Sequence, residues 1–312
     1  MAGCDLSDDL RKPEATAELT FEYTHNNSGN DLFAQQVKKV TALVFDSKGK
    51  YVASFTGAGS ELASPGYRMK LGLPEGSYTV QVWGGTLETY LLGTYDKGVG
   101  NIQEGLVAGS SMEENLRVST KKSGDGPEGI PTAMPPVDLF YGKTRIVVNA
   151  YKPATAKVSL MKNSSTLRFI IKKKDTGTRR AADGNETYEV VCTGNNTVLD
   201  ANNGMSAQAV TMRYLPSDYG NNGSVSEASV RMNRLFVGKE VNALVRDKES
   251  GKVLLDCDLV AMILDTEKYN NQQDIDREDL FEIEIMIDEY DMNVTVKVNG
   301  WNIVNIDPIP EA

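Results

Sequence analysis

The chain has 312 residues, with 33 Lys and Arg against 43 Asp and Glu, for a net charge of −10. That length suits two domains, each long enough to bury a core without disulfide or metal staples. The acidic balance excludes nucleic acid as the main partner and argues against docking on anionic lipid through a basic patch. A hydrophobic fraction of 40% describes a folded globular chain, and no run of about 18 apolar residues is present to cross a bilayer.

Single-residue counts exclude more. The chain has one His, His25. A two-His zinc site, a metalloprotease His pair and multi-His iron or copper sites are therefore impossible within it. Its three Cys, at 4, 192 and 257, form no Cys-x-x-Cys pair. No cofactor and no metal are expected.

The chain begins Met1-Ala2-Gly3-Cys4, followed by the acidic Asp5–Asp9 stretch. Small residues before a Cys suit the narrow groove of a lipoprotein signal peptidase. Cys4 is therefore the candidate lipid-attachment site, and residues 1–17 a tether. A signal peptide, if there was one, is absent from this chain.

From residue 18 the dominant period is two. Leu19–Tyr23, Tyr78–Val82, Leu167–Ile171, Phe281–Ile287 and Met292–Val298 alternate apolar with polar residues. Such alternation predicts half-buried antiparallel strands with one face in a core and the other in water. Asp46–Gly49 and Asp247–Gly251 each separate two strand-like runs and predict hairpin turns, with Gly supplying a positive φ. Helix signals are few: Asn30-Asp31 can cap a short helix over Leu32–Val37, and Asp276–Leu280 can form one turn. The Gly- and Pro-rich stretch Lys121–Pro136 reads as a long loop inside the first domain. The polar turn Lys162–Ser165 is the better domain boundary, dividing the chain into 18–162 and 163–312. A faint internal repeat then emerges, opened by Leu19–Tyr23 in one half and Leu167–Ile171 in the other. The reading is all-β with sandwich-like strand spacing.

Catalytic and ligand motifs are weak. Gly57-Ala58-Gly59 lacks the third Gly and the helix of a dinucleotide fingerprint, and no Gly-x-Ser-x-Gly occurs. Asp274, Asp276 and Glu278 alternate like calcium-loop ligands but lack the Gly at loop position six, so a solvated acidic loop is expected. Lys172–Arg180, the only basic cluster, reads as a charged hairpin end guarding a sheet edge. Trp83 and Trp301 close alternating strands and read as core or rim packing. Cys192 and Cys257 lie in apolar strand-like runs. They are either a disulfide of an exported protein or two buried thiols acting as small hydrophobes.

Several segments together resemble the Bacteroidetes family of minor fimbrial subunits, the FimB-type fimbrial anchor lipoproteins. They are Phe33–Asp46, Leu73–Val80, Asp138–Gly142, Val158–Asn163 and the closing Val298-Asn299-Gly300-Trp301. The resemblance runs from Glu18 nearly to the end of the chain and rests on the order and spacing of these segments. It implies two tandem transthyretin-like, Greek-key β-sandwich domains and export as a lipoprotein, with Cys4 at the lipidated position. It also implies a non-catalytic role at the outer membrane, facing the cell surface. The implied partners are the major fimbrial stalk subunit and other minor subunits, joined by strand exchange that completes an open sandwich. The alternative is a tip adhesin that binds a glycan or protein ligand. Residues 5–24 and 301–312 are the candidate exchanged segments.

Overall fold

The computed structural model describes residues 17–173, 187–222, 225–288 and 293–303; Cys4 and Lys174–Arg180 lie outside them. The first half carries β1 (Ala17–His25), β2 (Lys39–Phe45), β3 (Tyr51–Ala58), β4 (Met69–Leu71), β5 (Gly76–Gly84) and β6 (Tyr90–Asp96). It continues with β7 (Asn101–Glu104), β8 (Leu116–Thr120), β9 (Lys122–Asp125), β10 (Pro131–Ala133), β11 (Phe140–Val148) and β12 (Ala154–Lys162). The second half opens with β13 (Ser164–Lys173), β14 (Tyr188–Gly194), β15 (Val198–Asp200), β16 (Met212–Tyr214), β17 (Pro216–Asn221) and β18 (Val225–Asn233). It closes with β19 (Val241–Asp247), β20 (Val253–Asp258), β21 (Leu280–Asp288), β22 (Asn293–Val298) and β23 (Trp301–Asn302). Three short α-helices, α1 (Phe33–Gln36), α2 (Leu259–Leu264) and α3 (Gln272–Asp276), and three 3-10 turns at Gly59–Ala63, Glu113–Asn115 and Pro127–Gly129 complete the described elements. The all-β reading is borne out.

Strand alternation does more in the first half than separate core from water. The seven-stranded sheet runs β3-β2-β5-β11-β12-β1-β4, and β11 joins β12 through two residue pairs only. The sheet folds over at that weak seam. One face of β2, β5 and β11, with Ala42, Val44, Val80, Val82 and Phe140, packs against Leu19, Tyr23 and Val158 of β1 and β12. The opposite face, with Leu43, Phe45, Trp83 and Tyr141, packs against β6 and β8 in a second core. The central strands are thus buried on both sides, where a solvated polar face was expected. Gln81 shows the consequence: fully buried, it donates from Nε2 to Glu113 Oε1 at 2.8 Å instead of facing water. Removing one large apolar side chain from water here contributes about 1.5–3 kcal/mol.

The second half is a two-sheet sandwich. Sheet β20-β19-β14-β16-β10-β9 packs on sheet β17-β18-β13-β21-β22-β23 around Phe169, Val190, Cys192, Val230, Val245 and Ile283. The expected repeat has a structural counterpart. The opening strand of each half lies parallel to a late strand of the same half, β1 to β12 and β13 to β21, within otherwise mostly antiparallel sheets. Both predicted hairpin turns are present, with Gly49 and Gly251 at φ of 75° and 72°. Asn299-Gly300, both at positive φ, turns β22 into β23.

Several local expectations are corrected. The 121–136 stretch is no plain loop: it forms the β9–β10 hairpin, and β10 runs beside β16 of the second half. Lys162–Ser165 is no exposed turn. Asn163 alone separates β12 from β13, and Asn163, Ser164 and Ser165 are all buried. The run Val253–Val260 ends as a strand at Asp258, whose carboxylate accepts the Val260 and Ala261 N–H groups and starts α2. Helix α1 forms where expected, with Asp31 Oδ1 accepting from Phe33 N at 3.0 Å. The expected turn at 276–280 lies earlier, as α3, capped by Asn271.

Candidate functional site

The region between the halves is built by reciprocal strand contributions. Strand β15, from the second half of the sequence, pairs antiparallel with β8 of the first. It brings Leu199 and Ala201 into the core around Trp83. In the other direction, β10 brings Ala133 into the second half's core. Tyr141 OH donates to Ala201 O at 3.0 Å, and Lys143 Nζ reaches both Asn202 Oδ1 at 3.0 Å and Glu113 Oε1 at 2.7 Å.

A buried polar network pins this seam. Asn233 Nδ2 donates to Thr120 Oγ1 at 2.6 Å and to Asn196 O at 2.9 Å, while its Oδ1 accepts from Tyr90 OH at 3.1 Å. Tyr214 OH donates to Asn196 Oδ1 at 3.0 Å. Tyr90 and Thr120 come from the first half, the other three from the second. Burial pushes the Tyr90 phenol well above its ordinary pKa, so it serves as a neutral donor.

A charged cluster flanks the network. Asp279 accepts from Tyr23 OH at 3.2 Å and lies 3.5 Å from Lys162 Nζ, which is 3.4 Å from Asp138. Arg234 grips Asp276 in bidentate fashion, at 2.7 and 2.6 Å, with Gln272 donating to the same carboxylate. The carboxylates of the acidic 274–279 stretch are therefore committed locally: Asp274 accepts from Asn270 N at 2.8 Å, and Glu278 accepts from Tyr269 OH at 2.7 Å. His25 stands near Arg234 and Asp276, and burial lowers its pKa.

The other candidate residues scatter. Trp83 is fully buried, its ring 4.9 Å from that of Tyr141. Trp301 is half exposed on the edge strand β23. Cys192 and Cys257 are free thiols. Both register on Ala243 from opposite sides of β19, two strand spacings apart, or roughly 10 Å, beyond the reach of a disulfide. Cys192 is buried and Cys257 partly so, and burial pushes the Cys257 thiol up to about 12. Lys172 pairs with Glu284 at 2.9 Å. Residues 17–24 fill an interior slot between β12 and β4, with Leu19 and Tyr23 buried. Sequence reasoning missed Asn196, Thr120 and Asn233, because isolated polar residues in strands carry no signal of their distant partners.

The exposed edges are the remaining chemistry. Strand β7 pairs on one side only, with β6. Ladder alternation turns the backbone N–H and C=O groups of Ile102 and Glu104 outward. Val99 and Val107 flank this edge at 61% and 66% exposure. Among the other open edges, β17 carries Pro216 and Asp218, β20 carries Asp256 and Asp258, and β9 carries Lys122 and Asp125, whereas β3 carries no charge.

These features define a class: a tandem β-sandwich protein with fused halves and open strand edges. Residues 4–307 match the family of fimbrillin-A associated anchor proteins Mfa1 and Mfa2, and the chain belongs to that family. Similar solved structures share the fold. The fimbrial anchor protein Mfa2 from Porphyromonas gingivalis is 18% identical, with 92% of this chain and 98% of that one covered and a TM-score of 0.67. An adhesin candidate from Bacteroides thetaiotaomicron is 22% identical, with 93% and 98% covered and a TM-score of 0.75. A candidate polysaccharide-binding protein from the same organism is 23% identical, with 92% and 97% covered and a TM-score of 0.74. No curated protein matches the chain.

Proposed function

We propose that this fimbrial family member is a non-catalytic minor subunit, held in the outer membrane by lipid on Cys4, that anchors or terminates a fimbria. The observation that carries the reading is the family match over residues 4–307, which begins at Cys4. Two sandwiches divided at 162/163 form the body, as supported by one core built from residues before Asn163 and another built almost wholly from residues after it. Partner subunits add a strand to an open edge, with main-chain hydrogen bonds for affinity and side-chain pockets for register. We assign that role first to β7, a one-sided edge with a single charge, Glu104, and with exposed Val99 and Val107 beside it.

Cys4→Ala tests the anchor. It should release the protein from the membrane fraction while leaving the fold intact, because a bacterial lipoprotein depends on several acyl chains for stable anchoring. Unchanged membrane fractionation would count against it. Ile102→Pro tests the edge: proline removes an outward N–H without breaking the pairing to β6. Fimbrial incorporation should fall while thermal stability holds; incorporation at the parental level would move the role to another edge.

A second reading is a tip adhesin, favoured by the half-exposed Trp301 at a sheet edge and by the adhesin descriptions of relatives with this fold. Lipid retained on Cys4 in assembled fimbriae supports the anchor. An internal N-terminal cleavage together with ligand capture supports the adhesin.

A further inference from the structure

Strand directions give the first sandwich two distinct ends. Phe140 and Lys162, paired across β11 and β12, lie at the seam with the second half. Ala17 pairs with Ala154 and Leu71, at the opposite end of β12 and β4. The turns 46–50, 72–75 and 149–153 cluster at that same far pole, because Phe45 registers on Thr79 and Val148 on Gly76. The chain therefore leaves toward Cys4 from the pole most distant from the second half.

That pole has its own chemistry. Tyr151 is 80% exposed at its tip and Val147 is 57% exposed beside it. Lys48, Lys50 and Lys152 are exposed around them. Among the acids nearby, Asp46 Oδ1 accepts the Lys48 and Lys50 N–H groups at 2.8 and 2.9 Å, Glu75 accepts the Ala150 N–H at 2.7 Å, and Glu113, whose N–H donates to Gly49 O, pairs with Lys143 at 2.7 Å; Glu114 beside it is exposed. The charge is also unevenly divided. Residues 17–162 carry 15 Lys and Arg against 14 Asp and Glu, a net of +1; residues 163–312 carry 16 against 25, a net of −9. The whole-chain value of −10 hides this asymmetry.

We propose that this pole is a membrane-docking surface: Tyr151 seats at the lipid headgroup level, and Lys48, Lys50 and Lys152 meet headgroup phosphates. The proposal rests on lipidation of Cys4. Twelve residues separate Cys4 from Ala17, so even a fully extended connection cannot carry the pole more than roughly 45 Å from the lipid. Confinement at that range raises the effective concentration enough for weak contacts to hold. A tyrosine at a water–lipid boundary keeps its ring in the apolar layer and its hydroxyl in the headgroups, while lysines near an anionic surface are attracted within a Debye length. The acidic second half is repelled, which points it and its edges away from the surface.

The test uses the full-length lipidated protein with Cys257→Ser, carrying a fluorophore on Tyr151→Cys or, as control, on Lys252→Cys beside the far turn of the second half. Each is bound to vesicles of phosphatidylethanolamine with phosphatidylglycerol, and to vesicles of phosphatidylcholine alone. On the anionic vesicles the 151 probe should lose acrylamide quenching and the 252 probe should not. Replacing Lys48, Lys50 and Lys152 together by Gln should restore quenching at 151 while the protein still sediments with the vesicles. Equal quenching at both positions in sedimented protein overturns the docking surface and leaves the lipid anchor standing. Failure to sediment, with Cys4 itself taking up label, overturns the anchor and the docking surface together.

Discussion

Asn163 and Asn203 exchange amide hydrogen bonds across the seam. Asn163 Nδ2 donates to Asn203 Oδ1 at 2.6 Å, and Asn203 Nδ2 donates back to Asn163 Oδ1 at 3.1 Å. Asn163 is also the single residue between the last strand of one half and the first strand of the next. Its N–H donates to Leu139 O, and its C=O accepts from Arg234 N. The halves are thus joined by a residue that is buried and bonded on every side, with no slack linker between them. Asn163→Leu would strand the Asn203 amide in a buried site. We expect a loss of about 1–3 kcal/mol in urea unfolding; a loss below half a kcal/mol, on the order of an ordinary surface change, would contradict this account of the seam.

Leu199 belongs to the second half by sequence and to the first half by packing. Leu199→Ala should cost about 2–5 kcal/mol. Hydrogen exchange should then rise in β6 and β8, some eighty or more residues upstream. Exchange confined to the second half would show that β15 does not close the first.

His25 supplies a pH dependence. Burial lowers its pKa below the ordinary 6.5, so the folded state binds the proton less readily than the unfolded chain. Its neutral form therefore supports stability above about pH 6.5, and that support fades as the pH falls through this value. His25→Gln should flatten the change in urea midpoint between pH 7.5 and 5.5, taken as roughly one unit either side of the ordinary imidazole pKa. An unchanged slope would place the dependence elsewhere.

Cys192 and Cys257 should each take one alkyl group in denaturant without reductant, and neither should react readily when folded, since burial raises both thiols. Intact mass settles it: resistance to alkylation until reductant is added would mean a disulfide and a different register around Ala243.

Local signals in the sequence carried far, and their failures share one cause. Alternation located the strands around Leu167 and Ile283, and Gly49 and Gly251 marked hairpins by needs of backbone conformation that act within a few residues, while the Asn299-Gly300 turn was read only from the structure. Gln81 looked like a solvent-facing residue because alternation reports that two faces differ, not that water covers the second. The β9–β10 hairpin looked like a loop because its neighbour, β16, lies about eighty residues downstream and contributes no local pattern. Ser164 and Ser165 looked like a turn because their burial depends on the other half folding against them. Cys4, the expected lipid-attachment residue, lies outside the described residues; the β7 edge and the Tyr151 pole became visible only when topology placed their neighbours.

As a fimbrial subunit, this chain would join its neighbours through strand pairing. Fimbriae crosslinked on native cells and purified intact test it most directly. The account predicts this chain in covalent adducts with the major stalk subunit, with crosslinked peptides from the Val99–Val107 segment. Recovery of the chain only as a free monomer, with no stalk subunit attached, would contradict it.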